Sequence, residues 1–459
     1  NTILTNSSTR INPRLIDLSN PEGFDRLFYS ADDGLNLCTC SPAINAGNNS
    51  LNPEVSDILG ANRVYNGTID IGAYELPENP TTGKTFFVKE NAAPGGNGVT
   101  WANAYNSLQK AVLNNCADTI KISKGKYVPS LVTRDSSFNI YRGVAILGGY
   151  PDSGNPTDQD RNFVINPTIL SGDIGVLNDS TDNTANILRI HCPDTTVLID
   201  GLIIERGNAN LVVVNQPASN YQTTRGGGIF ARSNNLLLIN RCTLRNNYGL
   251  YGGGLYFEGT AIDINKSEFS NNNAQEGGGF YSWDVYGQPN TNPNGVPVTI
   301  RNSVFSTNRG TAGTIMENSA FSGATNYRLE NLIVYKNENN LGAGFRFRLQ
   351  PVVTLINCIF AKNNNTASNA GVGIYVDNTF SSNFLNTKVH NTIFVGNTVM
   401  GATPSVTNSD FNWKNASNQT ETIPFGNFNY SARSANQTGS GQGLISNAAV
   451  SLIDINNGP

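Results

Sequence analysis

The sequence is poor in charge. Of 459 residues only 14 % are Asp, Glu, Lys or Arg, with 34 acidic against 30 basic side chains. That balance excludes a nucleic-acid binder that relies on a basic face, because such a face needs a clear excess of Lys and Arg. There are two histidines and two methionines. The histidines, His191 and His390, stand far apart, and neither neighbours a Ser or Cys motif of a nucleophilic enzyme. Six cysteines in a chain of this length do not make a disulfide scaffold. No C-x-x-C pair or His/Cys set with zinc spacing is present. Cys38 and Cys40 are too close in sequence to bond without strain, so free thiols or partners elsewhere are expected. No apolar run approaches the roughly 20 residues that cross a bilayer, so no transmembrane segment is expected. The chain starts at Asn1 without a signal peptide, which reads as a processed or excised product.

What is abundant is glycine, 46 residues, among short bursts of β-branched and aromatic residues and many Asn and Ser. That bias predicts β structure with frequent tight turns. The 38 % hydrophobic content and the lack of charge blocks argue against disorder.

The central stretch repeats. Seven windows align: VLIDGLII (197–204), LLINRCTL (237–244), IDINKSEF (262–269), VTIRNSVF (298–305), YRLENLIV (327–334), VTLINCIF (353–360) and TKVHNTIF (387–394). Positions three and eight are apolar throughout, from Ile199 and Ile204 to Val389 and Phe394. Position five is Asn in four windows and Gly201 in another, as a left-handed bend between two strands demands. Successive windows lie 25 to 40 residues apart, and the minimum sets the length of one coil. A Gly-rich element precedes or follows: RGGGIFA (225–231), YGGGLYF (251–257), EGGGFYS (276–282), LGAGFRF (341–347) and AGVGIYV (370–376). It reads as a turn and a third strand. Three strands per coil, with variable loops, predict an all-β, right-handed parallel β-helix, a solenoid in which stacked coils bury like-on-like ladders. Each buried Leu, Ile or Phe contributes about 1.5–3 kcal/mol, and stacked Asn amides add ladders at the bend. Without a GK[ST] ending or a following helix, the glycines are not phosphate loops.

Trp101, Tyr105, Leu108, Ala111 and Val112 fall at helical spacing and predict an amphipathic helix over the first coil. This N-terminal cap would span about 85–127, with KTFFVKE (84–90) and DTIKISKGKY (118–127) as strands.

Four further segments carry a resemblance. TWANAYNSLQKAV (100–112), ISKGKYVPS (122–130), GVAILGGY (143–150) and NPTILSGDIG (166–175) resemble the start of pectate-lyase-like β-helix domains in surface proteins of the Bacteroidota. CSPAINAGN (40–48) with GTIDIGAYE (67–75) resembles the close of such units, of the choice-of-anchor Q type. The closing motif comes first. Residues 1–76 therefore read as the end of one unit, 77–84 as a linker, and 85–459 as a second unit without its own closing motif. The similar RLIDLSN (14–20) and SLIDINN (451–457) fit a tandem array. The resemblance implies type IX export and an extracellular or cell-surface location.

The resemblance also names the chemistry to look for. Pectate lyases hold calcium with clustered Asp and use an Arg base. The matching outward positions here, Asp263, Thr299, Arg328, Thr354 and Lys388, are mixed. The NTD, GHG and RIK motifs of polygalacturonases are absent. The expected function is thus a non-catalytic structural or adhesive repeat, forming fibres with neighbouring copies or tandem units. A polysaccharide lyase or hydrolase and a carbohydrate-binding module are the alternatives. Asp173, Asp179 and Asp182 form the best structural calcium candidate, and no other cofactor is expected. Asp32 and Asp33 before Gly34 read first as a turn, and Asp70 with Glu75 as part of a structural cap. Binding candidates are Arg346 and Arg348, alternating with Phe345 and Phe347, and Trp283 and Tyr286 in the longest inserted loop, for surface glycans or proteins.

Overall fold

A computed structural model describes residues 33–77 apart from 39, 84–192 apart from 115, 195–210, 223–232 and 236–283. It also describes isolated residues between 13 and 29, and beyond 296 the ladder strands and their bends as far as 429.

The chain is nearly all β. Its strands form four sheets of 11, 7, 10 and 9 strands, parallel except for Phe411–Lys414 with Thr420–Glu421. The chain visits the sheets in rotation. Leu236–Asn240 joins the 11-stranded sheet, Thr243–Arg245 the 9-stranded, Tyr248–Tyr251 the 7-stranded and Leu255–Glu258 the 10-stranded. Ala261–Asn265 then returns to the first sheet beside Leu236–Asn240, with Ile239 opposite Ile264. This rotation fits a parallel solenoid, because each return strand needs a crossover to reach its neighbour.

The first two coils, through Ala117–Ser123 and Ala145–Tyr150, have the expected three strands, and from Thr196–Asp200 onward the coils have four. The additional short strand follows a second bend. The first bend is position five of the windows, and all seven residues there have positive φ, from 47° at Asn391 to 72° at Gly201. The second lies two residues after position eight, where Arg206, Asn246, Asn271, Thr307, Lys336 and Lys362 have φ between 51° and 67°.

A buried Asn follows each of these second bends except that at Arg206, which Gly207 follows. Asn247 donates from Nδ2 to Oδ1 of Asn272 at 3.0 Å, and the chain continues through Asn308, Asn337, Asn363 and Asn397. Each Oδ1 also accepts the backbone N–H of the previous Asn. Within the ladder a second Nδ2 hydrogen reaches a position-eight carbonyl, as from Asn272 to Leu244 at 2.8 Å. These side chains replace the backbone pairing that the bend removes, so burial leaves their amides satisfied. A shorter exposed series runs along the first bend, with Asn331 donating to Asn302 and Asn391 to Asn357.

Glycine permits the tight entry to the 10-stranded sheet. Gly252 has φ +67°, and a Cβ on Gly254 would lie 2.5 Å from the carbonyl oxygen of Gly279 in the next coil. Inside, Ile229, Leu255 and Phe280 stand in register, fully buried, and Phe269, Phe305 and Phe345 pack among them. One core runs from Cys40 to Phe394.

The first helix is shorter than its periodicity suggests. It covers only Leu108–Leu113, and packs against Lys84–Val88, Ala117–Ser123 and Phe138–Ile140. Trp101 and Tyr105 instead serve the edge strand. Tyr105 exchanges backbone hydrogen bonds with Phe87 and Lys89, and Gly98 accepts from Phe87, so the outer edge of Lys84–Val88 is paired. Trp101 packs on Phe87 and Tyr150 with its indole N–H on the Pro156 carbonyl. Arg142 finishes the helix, donating to the carbonyls of Val112 at 2.6 Å and Ala111 at 3.4 Å. Burial pushes its pKa down to about 10.

Candidate functional site

The outward face of the 10-stranded sheet concentrates chemistry. On the strands after each Gly-rich turn, inward residues alternate with Phe230, Tyr256 and Tyr281, which lie in register across three coils. Their rings stack at 5.4 and 5.7 Å with planes within 8°. Tyr251 meets Tyr281 edge-on at 5.3 Å, and Trp283 extends the stack at 6.3 Å. These rings form a cluster of their own outside the main core. Tyr256 and Tyr281 are buried, whereas Tyr251 and Trp283 are half-buried.

Charge is threaded through the stack. Arg225 lies over Tyr251 and Tyr256 at 5.3 and 5.1 Å and donates to the Tyr256 hydroxyl at 3.0 Å. That hydroxyl donates to Glu258 at 3.1 Å, and Glu258 also faces Arg232 at 3.2 Å. The buried carboxylate is therefore compensated by two guanidinium groups and a phenol. The arrangement offers cation–π contacts and aromatic edges, with Trp283 its accessible end.

Arg346 occupies the same outward column further along, where register sets Glu317 on one side and Tyr375 on the other. It is 9 % exposed, so it is not the solvent-facing grip that the alternation with phenylalanine suggests. Register places Arg348 between Ser319 and Asp377. Its side chain, like all of Tyr286, lies outside the described residues. Thus Trp283 and Arg346 share a face but stand on strands two coils apart.

The three loop aspartates are not brought together. Asp173 is buried against Arg206 at 2.9 Å and Lys126 at 3.3 Å, and accepts the Asn178 N–H. Asp182 accepts the Val176 N–H, and Asp179 accepts from Thr181, hydrogen bonds that hold the Asp179 carboxyl below the usual range. Two cations already meet the carboxylate that would anchor calcium. Among the described residues, no three His, Cys, Asp or Glu side chains are grouped to hold a metal ion.

Several engaged charges escaped the sequence reading. Asp200, buried at the first bend, takes Arg161 at 2.9 Å and Arg241. Both guanidinium groups also lie over Phe163, at 5.0 and 5.3 Å. A Cβ at position 201 would meet that ring at 2.3 Å, which is why this window carries Gly201. Glu205 pairs with Arg245, and Asp263 with Arg301. The only advance signal was an outward acid followed one coil later by an outward Arg.

The closing motif is held by its own carboxylates. Asp70 accepts the N–H groups of Asn45 and Leu76, Glu75 those of Tyr65 and Asp70, and Asp57 those of Leu59, Ala61 and Glu75. Asp33 accepts from Tyr29 N–H and the Tyr74 hydroxyl, and burial with that bond pushes Tyr74 up to about 12. Cys40 finds its partner in Cys116, 76 residues away, while Cys38 stays a thiol and donates to the Leu15 carbonyl. Cys192, Cys242 and Cys358 are buried thiols, pushed by burial to about 12, 12 and 11.

The class defined by these features is an all-β protein of stacked parallel sheets. No protein-family model, curated protein or solved structure matches the chain significantly. No helix among the described residues is long and apolar enough to cross a membrane.

Proposed function

We propose that the chain is a non-catalytic structural or adhesive repeat of a large secreted surface protein. In this reading it is a right-handed β-helix, closed around its core and covered at the N-terminal end by the helix Leu108–Leu113. The observation that carries it is how outward charge is spent. Asp200, Glu205, Glu258 and Asp263 each meet an Arg from a neighbouring coil or a loop packed on it. Such pairs staple coil to coil and favour a stiff rod, which gains about 4.8 Å per coil. The Cys40–Cys116 disulfide supports an extracellular location, since such bonds persist in oxidising compartments. The resemblance of residues 100–175 and 40–75 to Bacteroidota surface domains supports the same location, and type IX export with it.

A second reading has one observation in its favour. Trp283, half-buried at the accessible end of a stacked aromatic column, is suited to pack on a sugar ring, as in a carbohydrate-binding module. A glycan array with a product assay on uronic-acid polymers separates the readings. The structural repeat predicts no turnover and fibres in which the chain recurs along the axis by electron microscopy. Glycan binding lost in Trp283→Ala would favour the binding module, and released unsaturated or reducing ends would favour a lyase or hydrolase.

A further inference from the structure

The loop 172–187, between the strands Thr168–Ser171 and Leu188–Ile190, lies along the edge of the 7-stranded sheet. Asn208–Ala209 is the first strand of that sheet, and the Asn208 N–H donates to the Thr184 carbonyl at 2.7 Å. Two side-chain amides tie loop and strand together in opposite directions. Asn183 donates from Nδ2 to the Arg206 carbonyl at 2.7 Å, and Asn208 from Nδ2 to the Ser180 carbonyl at 2.6 Å. Arg134 closes the junction, with Nε on the Asn183 carbonyl at 2.8 Å and Nη2 on that of Asn208 at 3.1 Å. One guanidinium thus touches the main chain of both asparagines. Asp182, next in the chain to Asn183, folds back into the same loop, where its Oδ2 accepts the Val176 N–H at 2.6 Å.

Three oxygens at this junction are buried and accept no hydrogen bond from a described residue: Oδ1 of Asp182, of Asn183 and of Asn208. The two asparagines are only 5 % and 7 % exposed. Turning either amide over would set its oxygen against the carbonyl that its nitrogen now serves. Neighbouring cations are taken up elsewhere. Arg206 and Lys126 pair with Asp173, and Nε and Nη2 of Arg134 serve carbonyls and the Asn210 Oδ1.

Buried acceptors left unserved destabilise a fold, a carboxylate most of all. This set holds one carboxylate and two amide oxygens, and no donor. Because all three are covered from solvent, only an atom-sized occupant fits between them. A water brings two hydrogens for three oxygens, whereas a cation serves them all. Calcium takes carboxylate and amide oxygens in irregular arrangements, while magnesium demands a near-ideal octahedron.

We infer that the junction of loop 172–187 with Asn208 binds a calcium ion, with Asp182 as its charged ligand and Asn183 and Asn208 as neutral ones. Of the three aspartates expected from the sequence, only Asp182 belongs to this set, and an asparagine from the next coil completes it. The ion pins the loop to the edge of the 7-stranded sheet.

The test uses the full chain, dialysed against EDTA and then against calcium-free buffer. Calcium chloride is titrated in by calorimetry, and thermal unfolding is followed with and without it. The expected result is saturable binding with a Kd of about 1 mM or lower, the range of extracellular calcium modules, and a Tm that rises with calcium. Asp182→Asn removes the charge and turns an acceptor into a donor for the two amide oxygens. It should weaken binding by about tenfold or more and abolish the rise in Tm, without lowering the Tm of the calcium-free protein. A merely structural Asp182 would instead lower that Tm. Asp179→Asn should leave binding unchanged. No binding at up to about 10 mM calcium, or equal binding by Asp182→Asn, overturns the inference. If Asp182→Asn does not fold, crystals of the unsubstituted chain are soaked in terbium chloride as a calcium substitute. An anomalous peak between the three oxygens supports the site, and its absence there overturns it.

Discussion

Asn272 and Asn308, 36 residues apart, share a hydrogen bond of 3.1 Å inside the protein, and Asn308 also takes the backbone N–H of Asn272 on the same oxygen. The pair lies within a buried amide ladder, whereas the shorter Asn series along the first bend is exposed. Replacing Asn308 by Leu removes bonds to two neighbouring coils and leaves a buried N–H and a carbonyl unpaired, at a cost of about 1–3 kcal/mol for each orphaned group. Equilibrium denaturation is expected to register this loss. At Asn331, in the exposed series, a substitution by Lys or Gly should cost far less, and equal losses at both sites would contradict the distinction.

The glycines on either side of the strand Leu255–Glu258 are of two kinds. A Cβ on Gly254 would sit 2.5 Å from a backbone oxygen of the next coil, whereas Gly259, at φ +54°, has nothing within 4 Å of that position. Gly259→Ala should cost only the left-handed penalty of about 1–2 kcal/mol. Gly254→Ala must push two coils apart and is expected to cost more, about 2–4 kcal/mol. Thermal melts of the two variants rank them, and the reverse order would show that the coils yield easily.

Breaking the Asp200 junction tests whether outward charge fastens coils. Asp200→Ala leaves Arg161, itself largely buried, without its carboxylate. Removing one partner of a buried pair costs about 3 kcal/mol. Trimming both sides, with Arg161→Met and Arg241→Met added, should recover part of that loss. A triple variant no better than the single one would mean that the arginines act by packing on Phe163 alone.

The buried thiols give the stability a direction in pH. Burial raises Cys192, Cys242 and Cys358 to about 12, 12 and 11. The unfolded chain releases these protons near the ordinary thiol value of about 8.5, and the folded chain keeps them until the raised values are reached. Stability from this source is complete below pH 8 and falls as pH rises from about 9 to 12. Urea midpoints should drop over that window, less steeply in a chain with Cys242→Ala and Cys358→Ala. In native protein at pH 8, iodoacetamide should label Cys38 well before these three.

The coil itself was legible because a ladder residue must be apolar whatever it touches. Ile239, Ile264 and Ile300 announce an inward column, and Asn302 or Gly201 announces a bend. The fourth strand was not legible. Its signal, an Asn three residues after position eight, looks like one more polar loop residue until the next coil supplies its partner. Helical spacing misled at Trp101 and Tyr105, because the outer edge of Lys84–Val88 takes the backbone of Tyr105 and the Phe87 ring takes the indole of Trp101.

The candidate sites depended more heavily on assembly. Trp283 was visible as an aromatic in a loop, yet the stack it extends consists of Tyr256 and Tyr281 from other coils. Arg346 alternates outward as its strand requires, yet it is buried, which the alternation does not foretell. Asp173 is a calcium ligand by composition and an ion-pair partner by position.

The sequence by itself determined the period, the inward ladders and the first bend, since these follow from side-chain polarity and backbone sterics within a few consecutive residues. Tertiary structure alone decided which acid meets which arginine, that Cys40 reaches Cys116, and that asparagines from six coils share one line of hydrogen bonds. Those pairings join residues tens of positions apart, and only the stacking distance between coils brings their polar atoms within reach.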